Sequence, residues 1–299
     1  MLAALPPAEP PPGRGDGPIR AVHDADYLDF LQAAPGLWRE AGRAGDAIPY
    51  AFPVVGRRRL ALKRVDALLG RHAFDATTPI GPHAYKASHW SAQAALAAAH
   101  AVLGGERAAF ALCRPPGHHA GADYCGGYCH INAAAVGAQA MRDAGLGRVA
   151  VLDIDYHHGN GTQDIFWSRG DVLYASVHAD PATDYPFYWG HADEVGEGEG
   201  RGATLNLPLP HGTMLDAFRR AQAAALDAIA RFGAEALVVS FGADTWRGDP
   251  ISHFALETAD YAVLARDIAG LGLPTAIVME GGYAVDALGR NVASFLSGF

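Results

Sequence analysis

The sequence of 299 residues is poor in cysteine, in charged side chains and in long hydrophobic runs. Three cysteines, Cys113, Cys125 and Cys129, are too few and too close together for a disulfide scaffold, which favours a reducing cytoplasm. Lys and Arg (23) are outnumbered by Asp and Glu (32), and a net charge of −9 argues against binding to nucleic acid or to an anionic membrane. The same charge is compatible with a cationic substrate.

The hydrophobic segments are too short or too interrupted to span a bilayer. Residues 91–103 form an Ala-rich stretch that contains Gln93 and His100. The first residues are broken by prolines and resemble neither a signal peptide nor a membrane anchor. We therefore expect a cytoplasmic protein without a membrane partner.

Half of the residues are apolar, and the length suits one large α/β domain. Residues 1–19 are rich in Pro and Gly and are expected to be irregular, whereas residues 20–299 are expected to form a single catalytic domain. Short Val, Ile and Leu runs alternate with helical patterns from about residue 91 onwards. That alternation predicts a parallel sheet with helices on both faces.

Polar residues follow the apolar runs, where a parallel sheet places its ligands. Asp153, Asp155 and His157 are spaced by two, so an extended backbone turns all three to one side. Each could instead belong to a polar cap or turn. Asp244, after a separate run, favours a zinc site, because two Asp and one His neutralise the ion and leave a coordination position open.

A thiolate zinc site at Cys125, Cys129 and His130 is an alternative. The spacing of the two cysteines lies in the usual range, but no second ligand pair follows at a suitable distance. Buried and unreactive cysteines are the preferred interpretation.

The tandem pair His118 and His119 lies in the segment CRPPGHHAG. A base needs a second group to orient its ring, and Asp153 and Asn160 can be those partners. Tyr283 follows two glycines at the last strand end. Such a tyrosine is often a core residue, but here its phenol is a suitable donor to a developing oxyanion.

The segments RPPGHHA, GGYCHIN, LDIDYHHGNGTQDIF, SFGADTWRGDP and MEGGY together resemble the zinc-dependent histone deacetylase family, from about His23 to the C-terminus. Within that family, HADPATDYPFYWGHADEVGEGEGRGATLNLPLP, DPISHF and GLPTAIVMEGGY are most similar to bacterial acetylpolyamine amidohydrolases. The resemblance implies the arginase/deacetylase α/β fold, with a mainly parallel eight-stranded sheet and helices on both faces.

The resemblance also implies roles for individual residues. One catalytic Zn²⁺ would be held by Asp155, His157 and Asp244. His118 would act with zinc on the attacking water, His119 would protonate the departing amine, and Tyr283 would assist the carbonyl. Asp153 would orient His118, and Asn160 would face His119. A structural K⁺ is implied as well, with these ligands: Asp153, Asp155, His157, Ser176 and Val177.

Three departures from the family pattern are visible. Many members have an acid where this chain has Asn160, and an amide there should make His119 less basic. GGYCHINAAA has His130 and Ala133 where relatives often have an aromatic residue and a second asparagine. Relatives also usually begin with an additional strand before the helix near His23, so the first strand is expected to be missing.

The implied substrate is a small cationic acetylated amine, either an acetylpolyamine or a diamine such as acetylputrescine or acetylcadaverine. Its channel is expected to be formed by Gly127, Tyr128, Tyr185 and Gly281. Phe187, Tyr188 and Trp189 are further candidates beside Tyr185, and at least two of these four aromatic residues should instead be core or interface residues. The resemblance also implies a homodimer.

Three other functions compete with this one. A protein acetyl-lysine deacetylase fits the same residues. An arginase-type ureohydrolase would need a two-metal cluster, yet Trp246 stands two residues after Asp244, where an acid would be expected. A non-catalytic acetylamine-binding protein would normally have lost a ligand, a tandem histidine or Tyr283.

Overall fold

The computed structural model describes residues 7–53 and 60–299. Its helices are α1 Gly17–Arg20, α2 Ala25–Glu40, α3 Val65–Arg71, α4 Ala84–Leu103, α5 Ala133–Asp143, α6 Asn160–Phe166, α7 Leu215–Phe232, α8 Thr258–Ala269 and α9 Val285–Leu296. Its strands are β1 Ala108–Ala111, β2 Val149–Asp153, β3 Val172–Ala179, β4 Thr204–Leu209, β5 Ala236–Phe241 and β6 Thr275–Met279.

The strands form one parallel sheet in the order β1-β6-β5-β2-β3-β4. Strands β2, β3, β5 and β6 are buried at every position. They are continuous in Val, Ile, Leu and Ala rather than alternating, because helices cover both faces of the sheet. The predicted α/β class and its parallel sheet are confirmed.

Helices α4 and α5 pack on one side of the sheet, against β1, β6, β2 and β5. Helix α7 packs against β3 and β4, and α8 and α9 pack on each other beside it. Phe241 of β5 joins this second layer to the sheet, with its ring stacked on Phe295 at 4.0 Å and edge-on to Tyr261 at 5.8 Å. The main core therefore lies within a three-layer arrangement.

The expected number of eight strands is not reached within residues 7–53 and 60–299, where the sheet has six. Other extended segments pair only through isolated bridges, such as Ala47 with Ile80 and Ala73 with Cys125. A single bridge fixes too few backbone groups to count as a strand. The deacetylase-type α/β architecture is unaffected by this correction.

The Pro-rich segment becomes helical earlier than expected, at Gly17 rather than after residue 19. Pro18 lies in the first turn, where its missing N–H costs nothing, and Ile19 is fully buried. Residues 1–6 of that segment lie outside the described residues. Within the described ranges, every helix lacks the combination of length and hydropathy that a bilayer span requires.

The sheet order determines where the polar strand ends meet. Strand β2 lies between β5 and β3, and β6 lies on the other side of β5. The register pairs Asp153 with Ser240 of β5 and with Ser176 of β3. Loops that leave the carboxyl ends of β2, β5 and β6 therefore converge at one point, as expected for this class of sheet.

Candidate active site

Asp155, His157 and Asp244 come together at the carboxyl ends of β2 and β5. One donor atom from each lies within 4.8 Å of the other two, and all three residues are buried. His157 Nδ1 lies 3.1 Å from Asp244 Oδ2 and 3.4 Å from Asp155 Oδ1. Residues 155–157 form bends rather than the extended backbone that was expected, yet the side chains of Asp155 and His157 still meet that of Asp244.

The electrostatics of these three residues suit a bound cation. Burial and the neighbouring Asp155 raise the pKa of Asp244 above its usual value. Burial opposes the charged form of His157, but hydrogen bonds with Asp155 and Asp244 raise its pKa to about 9. Two buried carboxylates beside one imidazole match the donor set of a catalytic zinc site with an open position. The residues present therefore fit a divalent metal.

Gly281 makes room for this cluster. A Cβ at Gly281 would lie 2.5 Å from Asp244 Oδ2 and 2.6 Å from Asp155 Oδ2. The Gly281 N–H donates to Asp155 Oδ2 at 2.8 Å. Gly281, expected in the substrate channel, thus contacts the carboxylates, and its lack of a side chain lets them approach the strand.

His118 is paired with Asp153. Its Nδ1 lies 2.9 Å from Asp153 Oδ2, and the hydroxyl of Tyr174 donates to the same oxygen at 3.3 Å. Burial opposes a charged ring, but Asp153 and Asp155 raise the pKa of His118 to about 10. The predicted partner of His118 is therefore the one that it contacts.

His119 is paired with Asn160, again as predicted. Its Nδ1 lies 2.7 Å from Asn160 Oδ1. Burial, together with His118 and His157, holds the pKa of His119 well below its usual value. The two adjacent histidines thus differ sharply: His118 faces a carboxylate and favours the cation, whereas His119 faces an amide and stays neutral.

A narrow cavity of about 240 Å³ opens onto these groups. Its lining residues are Thr77, His119, Gly127, Tyr128, His157, Tyr185, Ile251 and Tyr283. Three predicted channel residues, Gly127, Tyr128 and Tyr185, are among them. Of the remaining aromatic candidates, Phe187 and Tyr188 are exposed, and Trp189 packs on Phe74.

Tyr283 reaches the cavity because Asp249 holds its backbone. Asp249 Oδ2 accepts the N–H of Tyr283 at 2.7 Å and that of Ala284 at 3.2 Å. Burial, with Asp244 and Asp155 nearby, raises the pKa of Tyr283, so that its phenol keeps its proton. Asp249 was not singled out from the sequence, although it stands in the segment SFGADTWRGDP.

Asp75 positions the opposite wall of the cavity. It accepts the Tyr185 hydroxyl at 2.6 Å and the Gly127 N–H at 2.8 Å. Gly127 and Tyr128 both have positive φ, 53° and 66°, so this turn depends on such hydrogen bonds. No sequence signal identified Asp75, because it lies in a stretch without periodic pattern.

Glu280 fixes the loop that carries the tandem histidines. Its Oε2 accepts the N–H of Gly117 at 2.6 Å and that of His118 at 3.1 Å, and its Oε1 accepts the Ser240 hydroxyl at 3.2 Å. Burial, with Asp153 among its neighbours, raises the pKa of Glu280 to about 7. The sequence signal for Glu280 was its position at the end of the last apolar run, where a parallel sheet places functional residues.

The alternative thiolate site is not formed. Cys125 Sγ donates to the His72 carbonyl at 3.2 Å, and Cys129 Sγ donates to the Gly127 carbonyl at 3.3 Å. All three cysteines are buried and form no disulfide. The interpretation as buried cysteines is confirmed.

Comparison with known proteins gives one consistent family. Residues 9–299 match the histone deacetylase domain. Acetylpolyamine amidohydrolase 1 of Pseudomonas aeruginosa is 49% identical over 292 residues, which are 95% of this chain and 83% of the relative. Acetylpolyamine amidohydrolase of Mycoplana ramosa is 48% identical over 280 residues, 94% of this chain and 82% of the relative.

A solved structure shows the same fold. The crystal structure of acetylpolyamine aminohydrolase from Burkholderia pseudomallei superposes with a TM-score of 0.94 and 47% identity, covering 98% of this chain and 85% of that one. The resemblance inferred from the motifs is therefore confirmed over nearly the whole chain.

Proposed function

The chain belongs to the histone deacetylase family, and we propose that it is a zinc-dependent amidohydrolase that deacetylates small N-acetylated amines. The observation that carries the proposal is the cavity of about 240 Å³ on which His119, His157 and Tyr283 converge. His157 is a metal ligand, His119 is a neutral base and Tyr283 is a hydroxyl donor. Hydrolysis of an amide requires these three kinds of group around the same carbonyl.

Asp155, His157 and Asp244 would hold the zinc. Bound there, zinc would polarise the amide carbonyl and lower the pKa of water from about 15.7 towards about 7. The fold keeps these two buried carboxylates beside one imidazole. Gly281 supports that arrangement, because it has no side chain to displace the carboxylates and its N–H donates to Asp155.

His119 is the group that moves the proton. It lines the cavity, and its bond to Asn160 fixes Nδ1 as the donor, which leaves Nε2 free to accept. His119 would take a proton from the attacking water and pass it to the departing amine. This differs from the role that the resemblance implied for His118, whose pairing with Asp153 favours a cation that stabilises negative charge.

Tyr283 would donate its hydroxyl to the oxyanion that develops at the acetyl carbonyl. Asp249 fixes the backbone at Tyr283, so the donor is in place before the reaction. Preorganised donors of this kind are among the largest contributions to catalysis.

The shape of the cavity supports a linear substrate. Tyr185 lies edge-on to His119 at 5.1 Å, and Tyr128 lies edge-on to Tyr283 at 5.8 Å, which leaves a narrow passage between aromatic rings. A methylene chain fits such a passage. The relatives named acetylpolyamine amidohydrolases support acetylpolyamines and acetylated diamines as the substrate class.

A protein acetyl-lysine deacetylase remains the second candidate, because a lysine side chain also presents an acetylated amine on a methylene chain. Comparing kcat/KM for acetylputrescine and acetylcadaverine with that for an acetyl-lysine peptide tests the choice. We expect the small amines to be preferred, and preference for the peptide would overturn the substrate assignment while leaving deacetylation intact.

Three further features belong to the proposal. A structural K⁺ would lie near Asp153 and Ser176, which the register of β2 and β3 pairs. A homodimer is supported by exposed aromatic side chains near the cavity, including Tyr128, Phe187 and Tyr188. A cytoplasmic location is supported by three cysteines that form no disulfide. Light scattering of the purified protein tests the dimer.

A further inference from the structure

A second group of metal-ligating side chains lies apart from the catalytic residues. Asp184, His211 and His253 follow β3, β4 and β5 respectively, and one donor atom from each lies within 4.8 Å of the other two. Asp184 is buried, whereas the two histidines are exposed. The group therefore has a fixed inner carboxylate and two imidazoles at the solvent edge.

The two histidines are held together by their backbones. Gly212 N–H donates to the carbonyl of His253 at 2.7 Å, and Ala255 N–H donates to the carbonyl of Thr213 at 2.8 Å. These bonds join the loops that carry the two imidazoles, whose ring centroids are 4.5 Å apart. Main-chain hydrogen bonds therefore keep the two loops, and with them the two imidazole rings, next to each other.

Asp184 is oriented by hydrogen bonds to both of its carboxylate oxygens. The Tyr156 hydroxyl donates to Oδ1 at 2.7 Å, and the Thr183 hydroxyl donates to Oδ2 at 2.8 Å. His211 Nε2 contacts Oδ2. Hydrogen bonds to a ligating carboxylate are the usual outer support of protein metal sites.

We propose that Asp184, His211 and His253 form a second divalent-metal site that binds Zn²⁺ or a metal of similar preference. Two neutral imidazoles and one carboxylate suit zinc, and the solvent edge leaves coordination positions for water. Mg²⁺ is excluded by its preference for oxygen ligands. The formal charge of −9 favours cation binding in general.

The site is linked to the cavity through two neighbouring residues. Asp184 directly precedes Tyr185, which lines the cavity, and its partner Tyr156 directly precedes His157. Occupation of the site would fix the loop that carries Tyr185. This inference does not depend on the reaction that the catalytic residues perform.

The test is zinc uptake by the holoprotein, prepared without a polyhistidine tag. We expect the wild type to bind about one equivalent of Zn²⁺ beyond its catalytic metal, and His211→Ala and His253→Ala to bind that equivalent at least about tenfold more weakly. His100→Ala, which removes an exposed histidine on α4, is the matched control and should bind as the wild type does. Excess Mg²⁺ should not compete.

Anomalous scattering at the zinc edge locates the ion independently of activity. Density between the three side chains in the wild type, lost in His253→Ala, supports the proposal. Two results would overturn it: no second equivalent in the wild type, or uptake of the second equivalent by both histidine variants as tight as that of the wild type. Because the catalytic metal is quantified in the same samples, loss of the catalytic site is distinguished from loss of the second one.

Discussion

His119 Nδ1 lies 2.7 Å from Asn160 Oδ1 in a fully buried contact. An amide oxygen only accepts, so Nδ1 carries the hydrogen, and Nε2 is left with its lone pair. The Asn160 amide group donates in turn to the Tyr124 hydroxyl at 3.3 Å, which keeps the oxygen turned towards His119. A neutral imidazole with a defined tautomer thereby faces the cavity.

Asn160→Asp should therefore alter the pH dependence of the reaction. A carboxylate at this distance stabilises the imidazolium and raises the pKa of His119. The base would then be protonated up to a higher pH, and the acidic limb of the kcat/KM profile should move upward. An unchanged acidic limb in the variant would argue against His119 as the base.

Tyr283→Phe removes the proposed oxyanion donor. We expect kcat to fall by roughly 10²–10³, the scale for loss of one such donor, with metal content unchanged. Tyr188→Phe is the matched control, since the Tyr188 side chain is 82% exposed. Steady-state kinetics on an acetylated diamine measures both, and near-normal turnover of the Tyr283 variant would contradict its role.

Asp249→Ala tests the positioning of Tyr283. Loss of the carboxylate frees the backbone N–H groups of Tyr283 and Ala284, so the phenol should lose its fixed place. Displacing a reacting group by about 1 Å can cost about 10²-fold, and we expect a loss in kcat of up to that size. Asp227→Ala, on the exposed side of α7, is the control.

A double variant distinguishes a positioning role of Asp249 from a general effect on folding. The positioning role predicts that Asp249→Ala added to Tyr283→Phe costs little more, because the hydroxyl is already gone. Additive losses in the double variant would mean that Asp249 acts elsewhere.

Gly281→Ala should empty the catalytic metal site. The added Cβ would lie within 2.5 Å of Asp244 Oδ2 and 2.6 Å of Asp155 Oδ2, so the carboxylates must shift. Metal analysis should show well under one catalytic equivalent. Gly36→Ala is the control, because its Cβ meets no atom within 4 Å. Full metal content in the Gly281 variant would show that the carboxylates are not the ligands.

The buried His130 gives a prediction for stability. Burial lowers its pKa to about 4 from a usual value near 6.5, so the unfolded chain binds the proton more readily. Its neutral form therefore stabilises the fold above pH 6.5, and this contribution is lost as the pH falls towards 4, by up to about 3 kcal/mol. His130→Phe should lose less stability over that interval.

Urea unfolding at several pH values measures this difference. His100→Ala, an exposed histidine, should follow the wild type. A His130→Phe profile parallel to that of the wild type would show that His130 does not contribute to the acid sensitivity.

The sequence was sufficient for the central residues because their spacing is local. Asp153, Asp155 and His157 lie within one short segment at the end of β2, and His118 and His119 are adjacent, so the members of each group are close together in any fold. Asp244 and Tyr283 are distant from these residues in sequence, and Asn160 is distant from His119, so their proximity depends on the order of the strands in the sheet. The family resemblance of the motifs implied that order.

Asp75, Asp249 and Glu280 were not predicted, because each acts through backbone N–H groups distant in sequence. Strand β4 carries little sequence signal, because its segment TLNLPL contains Asn and Pro and is only half buried. Within residues 7–53 and 60–299 the sheet has six strands rather than the expected eight, and the pairing at Ala47 and Ala73 is limited to single bridges.

The most direct measurement is acetate release from acetylputrescine by metal-free protein to which Zn²⁺ is added back. The account predicts no release without metal, recovery of activity on addition of about one equivalent, and none in Asp244→Ala at the same zinc concentration. Equal acetate release by the metal-free wild type, or by Asp244→Ala, would contradict it.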